Sequence, residues 1–273
     1  MSHEPVPAAA VSLGVVSFLN ARPLIEGLEG EPGLTIRYEV PSRLPPLLRH
    51  REVDAALVPA VDWARAGGAW QLVSDACIAG DGETLTVRVF SRVRPADVDV
   101  LHTDGDSHTS VALARLIWTH RFGRAVTMRP LDPAGGPDAC EAVLLIGDKV
   151  ITRRPQGFAH ELDLGQAWKD WTGLPFVFAV WAAEAGRDCG ALARRLSAAR
   201  DRGVADARRL ARQHGPARGW PLAIAEAYLT RHMRYVLTPE SGKGLERFVA
   251  LADEAGLLAD PEHRAAPPLC MER

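Results

Sequence analysis

A two-lobed α/β protein with a ligand cleft between its lobes is the fold class this sequence predicts, on three observations. Strand and helix patterns alternate from Val11 onward, in the order that builds a helix-covered parallel sheet. The runs Ala55 to Val58 and Ala142 to Ile146 are apolar without alternation, as strands covered on both faces are. Two more apolar strands, Leu85 to Ser91 and Phe176 to Trp181, bracket a second alternating unit. They read as the two crossings between a first lobe, residues 1–86 plus 179–273, and an inserted lobe, residues 87–178. A cleft between two such lobes is a common home for a small molecule.

The first strand starts at Val11 and breaks at Ser17. Pro23 then fits the first turn of a helix, where its missing N–H has no partner to lose. Between them stands Asn20. A strand running straight into a helix start leaves backbone N–H groups and this amide at the strand's carboxyl end, where open α/β sheets bind small anions. The same residues also fit a plain β–α turn with Asn20 as its N-cap. A second strand follows at Thr35 to Val40, with Ile36, Tyr38 and Val40 alternating. Ser42 is placed to cap a helix carrying Leu44, Leu47 and Leu48, and Asp54 to Ala60 forms the third strand.

Trp70 to Val93 is β-rich and interrupted at Gly80, Asp81 and Gly82. Val98 to Leu101 reads as a strand, and the loop Asp104 to Ser110 leads into a helix with Val111, Leu113, Leu116 and Ile117 on one face. The stretch Asp132 to Pro137 is a loop. The strand from Ala142 ends at Gly147 and Asp148. A short helix from Asp163, a turn at Thr172 and Gly173, and the strand from Phe176 come next. The remainder reads as helical: Cys189 to about Gln213, Pro221 to Val236, and a helix after Thr238-Pro239 with Leu245, Phe248, Val249 and Leu257 on one face.

A net charge of -2 gives no electrostatic case for nucleic acid or an anionic membrane surface as partner. Any anionic ligand must be held by local donors. The arginines between Cys189 and Gln213 alternate with Asp201 and Asp206 and read as a solvated face. The stretch MSHEPVPAAA lacks the pattern of a secretory signal, and no run approaches the roughly 18 apolar residues of a membrane helix. Cys77, Cys140, Cys189 and Cys270 form no C-x-x-C pair, so they read as isolated thiols of a reducing compartment. The cytoplasm is the expected location. Gly-x-Ser-x-Gly, P-loop and Rossmann glycine motifs are absent.

The loop DGDSHTS is richest in donors. Ser107, Thr109 and Ser110 stand where a helix begins, so hydroxyls and free N–H groups can converge on a carboxylate. N-capping alone would need only one of them. His108 fits an acid–base role or a solvent-facing loop equally. Asp104, Asp106 and Asp148 lack the pattern of a magnesium site. Thr86, on a crossing strand, faces either cleft or core. The aromatic run Trp168, Trp171, Phe176, Phe178 and Trp181 reads as packing, with one ring free to stack on a planar ligand.

The blocks SFLNARPL, PSRLPPLLRHREVDAALVPA, TLTVRVFSR, DGDSHTSVALARLIW, LLIGDKVI and DLGQAWKDWTGLPFVFAVW occur in this order. Together they resemble the chorismate dehydratase family of the futalosine route to menaquinone, over about Val11 to Trp181. The resemblance implies a type II periplasmic-binding-protein-like fold and a cytoplasmic enzyme, monomer or homodimer, with no cofactor and no metal. It also implies dehydration of chorismate to 3-[(1-carboxyvinyl)oxy]benzoate. Asn20 maps onto the family's motif asparagine and would orient the leaving hydroxyl or the developing charge. Ser107, Thr109 and Ser110 would hold one substrate carboxylate, and Ser42 with the N–H groups near Asn20 the other. Thr86 stands where the family usually has a serine. The related 1,4-dihydroxy-6-naphthoate synthase would show a first block of the type S-P-C-P-N-D in place of SFLN, and a non-catalytic anion-binding protein is the reading from another class.

Overall fold

The structure, a computed structural model, describes residues 10–132 and 134–259. Residues 1–9 of the amino-terminal stretch, and Cys270, lie outside them. The chain opens with β1 (Val11–Val16), a 3-10 turn at Leu19–Ile25 and β2 (Leu34–Glu39), then α1 (Leu44–Arg49), β3 (Ala55–Pro59), α2 (Ala60–Arg65) and β4 (Trp70–Gly80). The middle of the chain holds β5 (Val87–Ser91), β6 (Val100–Thr103), α3 (His108–Phe122), β7 (Thr127–Pro130), β8 (Ala142–Ile146), α4 (Lys149–Thr152), β9 (His160–Asp163) and α5 (Leu164–Thr172). The last part holds β10 (Phe176–Glu184), α6 (Gly190–Ala205), α7 (Ala207–His214), α8 (Leu222–Ala227), β11 (Met233–Val236) and α9 (Pro239–Glu254).

These strands form two sheets. The six-stranded sheet runs β11-β4-β10-β3-β1-β2 and the five-stranded sheet β7-β6-β8-β5-β9. β3, β1 and β2 are parallel neighbours, as the strand–helix alternation requires, and β10 enters antiparallel between β3 and β4. β3 and β8 are buried along their whole length, which is why their sequences carry no alternation. The aromatic run is mostly packing: Trp168, Phe176 and Phe248 meet edge to face, with centroids 5.2, 5.0 and 6.3 Å apart.

The first crossing, expected as a strand from Leu85 to Ser91, is a strand only from Val87. Leu85 adopts a left-handed backbone with φ 63°, a conformation costing a non-glycine residue about 1–3 kcal/mol unless the surroundings impose it. Asp163 imposes it. Its carboxylate accepts the backbone N–H of Thr84 at 3.0 Å and of Leu85 at 2.9 Å, and also those of Gly165 and Gln166 at the start of α5. One buried side chain thus caps a helix of the second sheet's layer and bends the crossing toward it. Gly165 permits this approach, since a Cβ there would lie 2.4 Å from the Thr84 methyl.

The carboxyl-terminal part departs furthest from the helical expectation. The Cys189–Gln213 helix is two, parted at Asp206. Pro221 to Val236 is not one helix but α8, a π turn at Tyr228–His232 and the edge strand β11. Met233 and Tyr235 are buried while Arg234 and Val236 face out, a period of two that overrides the helical reading once β4 is available to pair. Ser42 lies inside a 3-10 turn ahead of α1 and makes no cap bond, because the N-terminal positions of α1 are taken by Pro45 and Pro46.

Candidate active site between the lobes

Three of the expected site residues converge. Asn20 from the turn after β1, and Ser107 and Ser110 from the start of α3, line one cavity of about 490 Å³, open solvent included. Phe18, Thr84, Gly147, Phe178 and Met233 share it. Among the described residues that line it, none carries a charge. An anion there must be held by hydroxyls, amides and the positive end of α3, a helix of 15 residues.

The α3 hydroxyls divide the work. Ser107 is the N-cap: its Oγ accepts the Ser110 N–H at 3.1 Å. The same hydroxyl donates to Ser110 Oγ at 2.9 Å, so Ser110 keeps its own proton for a ligand. The Thr109 hydroxyl is fully buried away from the cavity and accepts the Val61 N–H of α2 at 3.2 Å. Ser42 is also outside the lining; its backbone N–H donates to the Asp106 carbonyl at 3.0 Å, where it joins the lobes. His108 pairs with Asp62 of α2, Nδ1 to Oδ2, at 2.8 Å.

Asn20 is not an N-cap. The cap position falls on Phe18 and no side chain bonds there. The Asn20 Oδ1 is buried beside the cavity without a hydrogen-bond partner. Thr86 lies on the core side and reaches the buried Tyr228 hydroxyl at 2.8 Å. Tyr228 escaped sequence reading because it follows a helical pattern, and only the π turn brings it inward. π turns are frequent at functional sites.

Asp148, next in sequence to the cavity-lining Gly147, accepts the Leu19 N–H at 3.1 Å and lies 3.6 Å from Arg218. Burial pushes its carboxyl above the usual range, against the pull of that N–H and of Arg218. Asp104 and Asp106 are both paired with Lys149, so their carboxylates already have a cation. Among the described residues no three His, Cys, Asp or Glu side chains are grouped to hold a metal, and no helix is long and apolar enough to cross a membrane. Cys77, Cys140 and Cys189 are free thiols, and burial pushes that of Cys77 up to about 12.

Two sheets facing each other over a donor-lined cleft define a periplasmic-binding-protein-like fold, and solved structures agree. Protein AF1704 from Archaeoglobus fulgidus superposes with a TM-score of 0.73 at 15% identity, over 90% of this chain and 98% of that one. The periplasmic aliphatic sulphonate binding protein SsuA from Escherichia coli gives 0.65 at 14% identity, over 93% and 94%. The chain belongs to the menaquinone biosynthesis family, whose model matches residues 11–254. A curated relative, the chorismate dehydratase of Thermus thermophilus, is 28% identical over 253 residues, 86% of this chain and 93% of its own.

Proposed function

We propose that the protein is a hydro-lyase that removes water from chorismate, giving 3-[(1-carboxyvinyl)oxy]benzoate. The observation that carries this is the convergence of Asn20 and the Ser107–Ser110 pair from opposite lobes on one uncharged cavity, in a chain related to a chorismate dehydratase. Chorismate brings two carboxylates, a ring hydroxyl and a ring that aromatises on losing water. Ser110 and the free amides of α3 receive one carboxylate. The N–H groups near Asn20 receive the other.

In the reaction the C3–H and C4–O bonds break, a double bond forms between those carbons, and proton and hydroxide leave as water. Aromatisation supplies the driving force, so positioning carries most of the catalysis. Among the described residues lining the cavity no side chain is a strong base. A carboxylate of the bound substrate therefore takes the ring proton, and Asn20 holds the hydroxyl in line. Thr86 holds the buried Tyr228 hydroxyl, and Thr109 holds α3 against α2 rather than touching substrate. We assign residues 1–86 with 179–273 to one lobe and 87–178 to the other, and a cytoplasmic location follows from a biosynthetic role.

The likeness to a sulphonate-binding protein keeps passive anion capture as the second reading. Ultraviolet spectroscopy of chorismate mixed with the protein separates them. An aromatic product spectrum supports dehydration. Saturable binding with an unchanged chorismate spectrum supports capture and overturns the enzymatic reading.

A further inference from the structure

The turn that carries Asn20 begins without a cap of its own. Phe18 holds the cap position of the 3-10 turn Leu19–Ile25, and no side chain bonds there. A helix start leaves backbone N–H groups in need of acceptors, and Leu19 is wholly buried. The acceptor comes from the other sheet. Asp148, just past the end of β8, takes the Leu19 N–H on Oδ1 at 3.1 Å, from 129 residues away. Phe18 and Asn20 both line the cavity, so this carboxylate grips the turn at the residue between them.

The grip has a fixed base. Gly147 N–H donates to the Thr86 carbonyl at 2.9 Å, which ties the end of β8 to the crossing. The Asp148 carbonyl accepts the N–H groups of Ile151 and Thr152 at 3.1 and 2.9 Å and the Thr152 hydroxyl at 3.1 Å, which holds it at the head of α4. The second carboxylate oxygen, Oδ2, lies 3.6 Å from Arg218 Nε. Each oxygen therefore has its own neighbour, and backbone and side chain are both held.

We infer that Asp148 is a positioning residue: it caps the Asn20 turn from the opposite sheet and so sets where Asn20 stands relative to Ser107 and Ser110. Asp148 itself stands outside the cavity lining and acts through Leu19. The Leu19 N–H is spent on this bond and is not among the donors left for a substrate carboxylate. Holding a reacting group in place before substrate arrives removes that ordering cost from the reactive complex. The inference rests on the dehydratase reading.

The test is steady-state turnover of chorismate by wild type, Asp148→Asn, Asp148→Glu, Asp148→Ala, Asn20→Ala and the Asn20→Ala/Asp148→Ala double variant. Thermal unfolding shows that each is folded at the assay temperature, and hydrogen exchange reads the Leu19 amide. Asp148→Asn keeps an acceptor oxygen of the same reach and loses the charge. Asp148→Glu keeps the charge and displaces the oxygens by a methylene. Asp148→Ala and Asp148→Glu are expected to lower kcat about tenfold or more, and Asp148→Asn by no more than about threefold. Adding Asp148→Ala to Asn20→Ala should change kcat by less than about twofold, because both losses run through one residue. Leu19 exchange should quicken in Asp148→Ala but not in Asp148→Asn. Should Asp148→Ala fail to fold, the order of Asp148→Asn and Asp148→Glu decides the matter, since a role in pairing with Arg218 alone puts Asp148→Glu ahead. Asp148→Ala with kcat within twofold of wild type, Asp148→Asn slower than Asp148→Glu, or an undiminished loss on top of Asn20→Ala would each overturn the inference. Leu19 exchange that stays slow in Asp148→Ala overturns the tie itself. Wild type that leaves chorismate unchanged overturns the dehydratase reading, and the role of Asp148 in turnover with it.

Discussion

Two hydroxyls one residue apart, Thr109 and Ser110, look alike in sequence and do different things. Ser110 receives a hydrogen bond from Ser107 and has a proton to give into the cavity. A hydrogen bond to a charged group contributes about 1.5–3 kcal/mol. Ser110→Ala should therefore raise KM for chorismate about 10- to 100-fold with little change in kcat, since the carboxylate is gripped equally before and during reaction. Thr109 accepts a buried backbone N–H from α2. In Thr109→Val that N–H is left without a partner, a cost of about 2 kcal/mol, which thermal unfolding should report as a fall in Tm of about 4–8 °C. If Ser110→Ala leaves KM unaltered, or Thr109→Val unfolds at the wild-type temperature, the division of roles between them is wrong.

Among elements, the first β–α–β unit is tied by Asp54, which accepts both the N–H of Ser12 at 2.7 Å and its hydroxyl at 2.8 Å. Burial raises this carboxyl, yet the Ser12 bonds and Arg187 outweigh it and the net shift is downward from 3.8. A lowered folded value means that the unfolded chain binds the proton more tightly. The stabilisation is thus full above the ordinary value and is lost as pH falls through the folded one. Denaturant unfolding should find Asp54→Asn less stable than wild type at neutral pH, with the gap closing in acid; a gap that widens in acid refutes the assignment. The central strands Ala55–Pro59 of this unit and Ala142–Ile146 of the other sheet were legible in the sequence because covered strands need only composition to betray them. β11 was not, since four residues carry too little period to outweigh a helical neighbourhood, and its partner β4 lies some 150 residues earlier. Leu85 was hidden for a different reason. Its left-handed backbone is imposed by Asp163, a residue of another element. The site was half legible: Asn20, Ser107 and Ser110 stand at strand and helix ends, which sequence marks, whereas Tyr228 arrives by a π turn that no local pattern announces.

At the scale of the whole molecule, small polar ties join the two sheets' layers around the cleft beside a shared apolar core. Ser42 N–H meets the Asp106 carbonyl, Val61 N–H meets Thr109, His108 meets Asp62, and Leu19 N–H meets Asp148. A close contact stands at Gly147, whose absent Cβ would lie 2.7 Å from the Phe18 ring. Its φ of 75° also lies in the region that side chains rarely adopt. Gly147→Ala should thus wedge the lobes apart at Phe18 and misplace Asn20, two residues along, relative to Ser110. A bound ligand at a hundred times its Kd adds about 2.7 kcal/mol to stability, or about 5–10 °C in Tm. Wild type should show that gain with saturating chorismate or product. Gly147→Ala should show little of it at the same concentration, with Kd raised about tenfold or more, since closure completes the grip on the second carboxylate. An unliganded Tm close to wild type would locate the loss in closure rather than in folding, and an undiminished ligand-induced gain would mean that Phe18 and Gly147 do not have to meet for the cleft to bind.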